Sequence, residues 1–483
     1  MSKVFDGPRS AALEGLALEA EGGPEVARRR RLILWTAISA NLFGNVGLTG
    51  INVALPAIQR SFNLSAVQGN WVVMATMLVM AMFSAPTARF SDLYGRRLVT
   101  VVGLWAVVVF SAWSALAGSF ASLVAARALS GLGLVAFFTT VTTMVVEAYP
   151  KSERGRVLGV AIASVYIGLS LGPVITGFLV EHLGWRALFW FTLAGMIPSM
   201  ILLHLVPGET PVDQAEKLDV AGAVLWVLAV GFGFSGLASL GRPLAVPALV
   251  VGLALGVAFF LKSLRVQAPL LDLRLFLDSR RFTFSSLAAF ISYLSSTSVA
   301  LLLSLYFQYS KGLSPSKAGL LLMAQPVLMA LLTPLAGRLS DRIDPGKLAS
   351  AGMAAILASV LIFAFTFSPE TPLVATLGAM ALTGAGFALF SAPNSNAIMS
   401  SVPTRRLGQA SGVITVTRLC GQISSMSVTT LVFGLIIGPG VITPEKHPAF
   451  LHAASVSFLL FAPLCLAGIL ASLARGREPA ENM

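Results

Sequence analysis

Fourteen long apolar segments run through this sequence, and they leave few folds open to it. A helix needs about 20 mostly apolar residues to cross the hydrocarbon core of a bilayer. Only 11% of the residues are charged and 56% are hydrophobic, whereas soluble proteins carry about 25% charged residues. The sequence therefore predicts an all-α polytopic membrane protein. The predicted spans are 32–55, 69–88, 98–118, 121–147, 157–180, 185–206, 218–240, 244–262, 282–308, 316–337, 348–367, 373–397, 409–437 and 450–473.

The distribution of basic residues supports this span count. Membrane proteins concentrate Lys and Arg on the cytoplasmic side of the bilayer. With a cytoplasmic N-terminus, only six of the 33 Lys and Arg fall on outer loops, and two, Arg127 and Arg418, fall inside spans. Both termini are therefore predicted to be cytoplasmic. The net charge of +12 then reflects basic loops that face the anionic lipid bilayer rather than a nucleic-acid partner.

An internal repeat divides the chain. The string ARFSDLYGRR, beginning at Ala88, reappears as GRLSDRIDPGK, beginning at Gly337, and each copy follows the second span of its half. Duplicated halves that face each other are common in secondary transporters, with the substrate site at their interface near mid-bilayer. The predicted organisation is a tail at 1–31, a first six-helix bundle at 32–207, two extra helices and a linker at 208–281, a second six-helix bundle at 282–473 and a tail at 474–483.

The repeated string has a chemistry of its own. Asp92 stands at a helix end beside Gly95, and two arginines follow. A carboxylate and guanidinium groups in that arrangement form charge-assisted hydrogen bonds that can hold neighbouring helices in one state. Anchoring at the inner face is the simpler alternative, but the repeated spacing favours a latch. The gating candidates of this motif are Asp92, Gly95, Arg96, Arg97, Asp341, Arg342 and Lys347.

A second group of gating candidates lies in the fifth predicted span, which contains Gly168, Gly172, Pro173 and Gly177. Glycines four residues apart let another helix approach closely, and a proline kinks a helix. Ordinary helix packing explains the glycines alone. The added proline favours a position where packed helices rock.

Taken together, these strings resemble the major facilitator superfamily and, within it, the fourteen-span drug:proton antiporter family. The loop after span 2 is similar to the family's G-x-L-a-D-r-x-G-r-k, with Ala88 in place of the first glycine, and span 5 is similar to its G-x-x-x-G-P-x-x-G-G, with Thr176 at the penultimate position. Span 4 resembles R-x-x-q-G-x-g through Arg127, with Ser130 in place of the glutamine. The resemblance covers about Leu32 to Leu473. It implies a major-facilitator fold and a monomeric exporter of small molecules in the inner membrane, an antiporter that works by alternating access without a bound cofactor.

Two arginines lie inside predicted spans, Arg127 in span 4 and Arg418 in span 13. An arginine in hydrocarbon is costly and usually points into a cavity, so a functional role is the default hypothesis. None of the 21 acids lies near mid-membrane, and a cavity holding both arginines would be electropositive. We therefore expect neutral-lipophilic or anionic amphiphilic substrates. The cavity candidates are Arg127, Arg418, Asn41, Asn45, Tyr166, Tyr293 and Gln325, and an interhelical hydrogen bond is the alternative role for each uncharged one.

Proton coupling departs from the pattern of that family. Antiporters that resemble this chain carry an Asp five residues before the Asn of the N-V-A-L-P string; here the Asn is Asn52 and that position is Gly47. Coupling needs a group that titrates while alternately exposed, and buried carboxylates do so most readily. Two alternatives remain open: either Glu147 or Asp92 carries the proton near the inner face, or transport runs without protons. The predicted function is a multidrug or amphiphile exporter, and the alternative is an importer or facilitator of a specific metabolite.

Enzyme chemistry is not indicated by the sequence. Cys420 and Cys465 lie in apolar stretches without metal-ligand spacing. The four histidines lie near span ends. A membrane enzyme that acts on lipids needs a nucleophile, a base or metal ligands gathered at one depth. Because no such cluster is visible, we predict a transporter without a cofactor or a metal.

Overall fold

The fold is given by a computed structural model that describes residues 23–150, 153–206, 218–240, 242–267, 269–340, 342–402, 406–438 and 440–476. Most of the predicted tails and of the segment before the extra helices lies outside these ranges. Within them, fourteen helices are long and apolar enough to cross a membrane, which confirms the predicted all-α architecture. In chain order these helices are α1 (Pro24–Phe62), α2 (Ala66–Tyr94), α3 (Arg96–Leu116), α4 (Phe120–Ala148), α5 (Arg154–Leu183), α6 (Arg186–His204), α7 (Val220–Ala238), α8 (Ala245–Arg265), α9 (Arg280–Ser310), α10 (Pro315–Ser340), α11 (Pro345–Thr366), α12 (Leu373–Ser400), α13 (Gln409–Ile436) and α14 (Pro444–Ala474).

The spans pack as two groups, α1–α6 and α9–α14, which share a construction detail. A Cβ atom at Gly103 of α3 would lie 2.9 Å from the Gly133 carbonyl oxygen of α4. At the equivalent place in the second group, a Cβ atom at Gly352 of α11 would lie 2.5 Å from the Gly386 carbonyl oxygen of α12. Glycine therefore lets each helix pair touch backbone to backbone. The repeat in the sequence is matched by a repeat in the packing.

Helix α1 extends beyond both ends of the apolar segment from which it was predicted. The predicted first span, 32–55, is only the middle of α1. The basic run before it is helical, and Arg30 Nε donates a hydrogen bond to the Ala148 carbonyl at 2.8 Å. At its other end α1 stops at Asn63, which adopts the left-handed conformation with φ 53°. Hydropathy marks the part of a helix that fits the hydrocarbon, whereas a cap decides where the helix ends.

The two extra helices lie beside the boundary between α1–α6 and α9–α14, a boundary that we call the seam. Helix α7 packs against α2 on one side and α13 on the other, and α8 packs on α7. Trp226 Nε1 of α7 donates a hydrogen bond to the Ala81 carbonyl of α2 at 3.3 Å. The Ser427 hydroxyl of α13 donates to the Phe234 carbonyl of α7 at 3.4 Å. Helix α7 therefore contacts both six-helix groups.

Candidate translocation site

The seam has two ends that differ in packing. Because fourteen spans return the chain to the side on which it began, Pro24 and Ala474 mark one end of the molecule. We call this the terminal end and the opposite one the distal end. At the distal end α1 and α9 are joined: Ser304 Oγ donates a hydrogen bond to the Asn52 carbonyl at 2.6 Å. One turn further along α9, Gln308 Nε2 donates to a main-chain carbonyl oxygen of α1 at 3.1 Å.

Helices α5 and α10 pack main chain against main chain across the distal seam. Gly177 of α5 has no room for a Cβ atom against the main chain of Pro315. In the same way, Gly319 of α10 has no room for one against the Pro173 carbonyl. The predicted gating residues Pro173 and Gly177 thus lie at a backbone contact between the two helix groups.

Polar groups complete the closure of the distal end. The Ser316 amide of α10 donates a hydrogen bond to Glu181 Oε2 of α5 at 3.0 Å. On the other side of the seam, Asn70 Nδ2 of α2 donates to the Met426 carbonyl of α13 at 3.1 Å. All four residues bridge the two helix groups, so the seam is closed on both sides at this end.

Near the terminal end the glycines of α5 and α10 are not in such contacts. A Cβ atom added at Gly155 or Gly159 of α5 would meet no heavy atom within 4 Å, and the same holds for Gly337 of α10. The other two glycines predicted as gating candidates in the fifth span, Gly168 and Gly172, face α1 instead. A Cβ atom at Gly168 would lie 2.6 Å from the Leu42 carbonyl, and Gly172, one turn on, also lies against α1.

Half-way along the seam three predicted cavity residues come together: Tyr166 of α5, Tyr293 of α9 and Arg418 of α13. The Tyr293 phenol lies within electrostatic range of both Arg418 and Tyr166. Its ring meets Phe387 edge-on, with 5.2 Å between centroids. Arg418 is half-buried and forms no ion pair with a described residue. We call Tyr166, Tyr293, Phe387 and Arg418 the mid-depth site.

Local packing explains why these side chains share one place. Gly421 lets α13 approach α9, since a Cβ atom there would lie 2.8 Å from Tyr293 Cβ. From α10, Thr333 Oγ1 donates a hydrogen bond to the Tyr166 hydroxyl at 3.4 Å. The site therefore combines aromatic faces with one cation, a surface suited to an amphiphile with an apolar body and an acceptor or anionic group.

The asparagines among the predicted cavity residues are engaged in helix packing. Asn41 Nδ2 of α1 donates a hydrogen bond to the Ala161 carbonyl of α5 at 3.4 Å, and Asn45 Nδ2 donates to the Asn41 carbonyl at 2.7 Å. Both side chains are buried within the first group of helices. Gln325 lies in α10 with its main chain against Gly384 of α12.

Arg127 lies apart from the mid-depth site. It lines a small pocket whose walls come from α1, α3, α4 and α6. Its Nε donates a hydrogen bond to the Val72 carbonyl at 3.4 Å, and its guanidinium carbon lies 5.8 Å from the centroid of the Phe189 ring. Arg127 and Arg418 therefore occupy different surroundings, one inside the first group of helices and one at the seam.

The charged motif after α2 forms an ion-pair cluster at the terminal end. Gly95, with φ 103°, makes the single-residue turn between α2 and α3. Arg96 pairs with Asp92 at 2.9 Å and also with Glu147 of α4. The Asp92 and Glu147 side chains are 47% and 44% exposed, so both proton-coupling candidates are hydrated. Arg97 Nη2 donates to a main-chain carbonyl oxygen of α6 at 3.4 Å.

The second copy of the motif is described only in part. Asp341 lies outside the described residues, while Arg342 and Lys347 are exposed at the terminal end. Arg475, which follows α14 and is 4% exposed, was not among the predicted site residues. Its Nη1 donates a hydrogen bond to Asn394 Oδ1 at 3.2 Å, and burial lowers the pKa of Arg475 to about 10. An arginine directly after an apolar span was the available signal for this contact.

The family assignment agrees with this geometry. The family model of the Major Facilitator Superfamily matches residues 37–418 and 285–483, so the chain belongs to that superfamily and is a transporter rather than an enzyme. The multidrug resistance protein Stp of Mycobacterium tuberculosis is 30% identical over 78% of this chain and 71% of its own. The lincomycin resistance protein LmrB of Listeria monocytogenes is 27% identical over 72% and 74%. These relatives and the fourteen spans are consistent with the fourteen-span drug:proton antiporter family.

Other similarities point to transport of different molecules. The riboflavin transporter RibZ of Clostridioides difficile is 25% identical over 87% of this chain and 92% of its own. Among solved structures, a D-xylose–proton symporter aligns with a TM-score of 0.67 and 17% identity over 92% of this chain and 96% of its own. A bacterial homologue of the lysosomal transporter Spinster aligns with a TM-score of 0.66 and 16% identity over 94% and 99%. At such identities the structures establish the fold alone.

Proposed function

We propose that this protein is a secondary active exporter of small amphiphiles, working by alternating access in the inner membrane. The seam is closed at the distal end, whereas the glycines of α5 and α10 near the terminal end face open space; this asymmetry carries the proposal. With the terminal end in the cytoplasm, as the basic residues favour, the mid-depth site opens inward and loads there. One chain supplies both sides of the site, so a monomer suffices.

Similarity to Stp and LmrB, whose names denote drug resistance, supports export. The substrate class follows from the mid-depth site. Arg418 has no carboxylate partner among the described residues, and Tyr166, Tyr293 and Phe387 supply apolar faces beside it. A cationic substrate would add a second positive charge to a poorly hydrated place. The proposed substrates are neutral-lipophilic or anionic amphiphiles.

A deletion strain tests this function. Cells lacking the protein are complemented with wild type, Arg418→Ala or Arg418→Lys at matched expression, and their resistance is measured against amphiphiles that share a ring system but differ in charge. We expect wild type to protect against the neutral and anionic members. Arg418→Ala is expected to lose the anionic members selectively, and Arg418→Lys to keep part of that protection. Protection by wild type against cationic members alone would overturn the substrate assignment.

Transport of a specific metabolite is the second candidate function, favoured by the nearly full-length similarity to RibZ. Riboflavin is a probe with a flat ring system that could stack on the tyrosines of the mid-depth site. Quenching of riboflavin fluorescence by purified protein, lost in Tyr293→Ala, would support this candidate. A lack of both quenching and riboflavin flux in proteoliposomes would favour the exporter.

Proton coupling, if present, is assigned to the ion-pair cluster at the terminal end. Arg96 holds Asp92 and Glu147 together in the present state, and separation from this cation would raise the proton affinity of either carboxylate. Substrate-driven proton release in proteoliposomes is therefore measured for wild type, Glu147→Gln and Asp92→Asn. Loss of release in one variant identifies the coupling carboxylate. Transport without any proton release supports the uncoupled alternative.

A further inference from the structure

The Arg127 pocket contains a cation without a protein counter-ion. Arg127 is 4% exposed, and its Nη2 makes no hydrogen bond. The guanidinium has one hydrogen bond, a long one to the Val72 carbonyl. A buried charge without a partner is strongly destabilising, so the pocket around Arg127 calls for a compensating group.

No carboxylate on the described helices that line the pocket supplies that compensation. Four helices form the pocket, and α3 and α6 contain no acidic residue. On α1 and α4 the acids are Glu25 and Glu147, both at the terminal end. Glu147 is twenty residues along α4 from Arg127, or about 30 Å at the rise of an α-helix. Glu147 is in addition paired with Arg96.

The walls of the pocket offer hydrogen-bond donors. Ser111 of α3 and Ser130 of α4 line it, and their hydroxyls make no hydrogen bond to a described residue. Thr192 of α6 also lines it, but its hydroxyl already donates to its own helix, to Leu188, at 2.9 Å. One guanidinium and two free hydroxyls thus face a small, otherwise apolar space.

Two glycines of α1 keep this space open. Gly44 and Gly47 line the pocket, and a Cβ atom at Gly47 would lie 2.8 Å from Thr192 Oγ1. A side chain at Gly47 would therefore enter the space beside Arg127. The room suits a single small ion and excludes a bulky organic anion.

We propose that this pocket binds one monovalent anion of chloride size, held by Arg127 with Ser111 and Ser130. A guanidinium only donates hydrogen bonds and the hydroxyls can donate as well, so with no carboxylate among the described lining residues the pocket favours an anion, and a single guanidinium neutralises a single charge. The site belongs wholly to α1, α3, α4 and α6, so the anion stabilises that group of helices and is not the transported substrate. This role is independent of the proposed exporter function.

The first experiment uses the wild-type protein in detergent. Its unfolding temperature is followed while chloride replaces gluconate at constant ionic strength, with bromide as a second halide. We expect a saturable increase for chloride and bromide, because a ligand that binds only the folded state stabilises it. A bromide-soaked crystal should give an anomalous peak within hydrogen-bonding distance of Arg127 Nη2. Equal unfolding temperatures in chloride and gluconate would overturn the proposal, as expected if water alone fills the pocket.

A pair of variants matched in size but differing in charge tests the site itself. In a Thr192→Ala background, which makes room for a side chain at position 47, Gly47→Asp is compared with the neutral Gly47→Asn. The Asp should supply the counter-ion internally, giving a protein that is stable and insensitive to chloride. The Asn should occupy the space without charge, giving a protein as unstable as wild type in gluconate. Identical behaviour of the two variants would contradict an anion site.

The Thr192→Ala parent serves as the control. It keeps Arg127, Ser111 and Ser130, and we expect it to retain the response to chloride. Arg127→Gln removes the cation and should abolish that response. Because Arg127→Gln could also fail to fold, the wild-type titration and the bromide crystal decide the matter without it. Substrate efflux measured in parallel separates the two proposals, since a protein that responds to chloride but exports nothing would refute only the exporter.

Discussion

Helices α5 and α10 are packed backbone to backbone at the distal end of the seam, whereas their glycines near the terminal end make no such contact. Gly177 and Gly319 have no room for a Cβ atom, whereas Gly155 and Gly337 face open space. Contacts made by glycines can separate without the repacking of side chains, and this suits rigid groups of helices that rock against each other. In the proposed alternating-access cycle, the distal contact of α5 and α10 is the one expected to form and break.

The largest expected effect comes from filling the distal contact. Gly177→Leu should reduce transport to the background level, because the added side chain collides with the main chain at Pro315 and holds the distal seam open. Gly155→Leu, on the same helix but in open space, should transport like wild type. Efflux of a fluorescent substrate from cells with equal amounts of protein measures both.

The control for Gly177→Leu is the folding of the variant. A single, symmetric peak in size-exclusion chromatography shows that loss of transport is not loss of structure. If Gly177→Leu and Gly155→Leu transport equally well, the difference between the two ends has no functional meaning.

The next effect concerns the mid-depth site, where the closed and open parts of the seam meet. Arg418→Gln should weaken binding of an anionic substrate by about 10- to 100-fold, since a hydrogen bond to a charged group contributes about 1.5–3 kcal/mol. Binding of a neutral analogue should change little. Dissociation constants of the purified variant measure both, and an equal loss for the two ligands would show that Arg418 acts on structure rather than on substrate charge.

A smaller effect is expected from one hydrogen bond across the distal seam. Gln308→Ala removes the bond to a main-chain carbonyl oxygen of α1. A hydrogen bond contributes a net stabilisation of about 0.5–1.5 kcal/mol. Its loss should therefore shift the equilibrium between the distal-closed and distal-open states by about 2- to 10-fold towards the open state. Labelling of a single cysteine in the distal seam reports this shift. Thr415→Ala removes a hydroxyl bonded only within α13, and it should leave the labelling rate unchanged.

The smallest effect is a pH dependence in the distal loop between α11 and α12. A hydrogen bond with the Ser368 side chain lowers the pKa of Glu370 below its usual value of 4.5. Because the pKa is lower in the folded state, the stabilisation is present above that value and is lost as the pH falls through the folded pKa. Glu370→Gln should therefore be slightly less stable than wild type near pH 7. The difference in unfolding temperature between the two proteins should shrink as the pH is lowered below 4.5, and a difference that does not change with pH would exclude this cause.

The number of membrane-spanning helices and the repeat between them could be predicted from the sequence. Fourteen apolar segments predicted fourteen spans, and the pair around 218–262, which is joined by a short polar loop, is present as α7 and α8. The repeated string at Ala88 and Gly337 predicted two equivalent halves, and the glycine contacts of α3 with α4 and of α11 with α12 repeat in the same way. These features depend on composition and spacing, which a sequence states directly.

The candidate site could be predicted only in part. Tyr166, Tyr293 and Arg418 were named together from their depth, and the fold brings them together. Depth alone does not say which way a side chain points. Arg127, which was predicted to share a cavity with Arg418, therefore could line a separate pocket. The cross-seam roles of Ser304 and Gln308 were not predicted, because a polar residue in an apolar span has the same signature whether it faces its own group of helices or the other.

By itself, the sequence determined that the chain must lie in a bilayer as helices, how many there are and that they repeat, because hydrocarbon admits only backbones that satisfy their own hydrogen bonds. Only the tertiary structure decided how each helix is rotated and which neighbours it meets. That choice placed one buried arginine at the seam and the other in a pocket, inserted α7 beside α2 and α13, and closed the distal end. Rotation and tilt depend on contacts between residues hundreds of positions apart, such as Asn70 with Met426, and no local pattern records them.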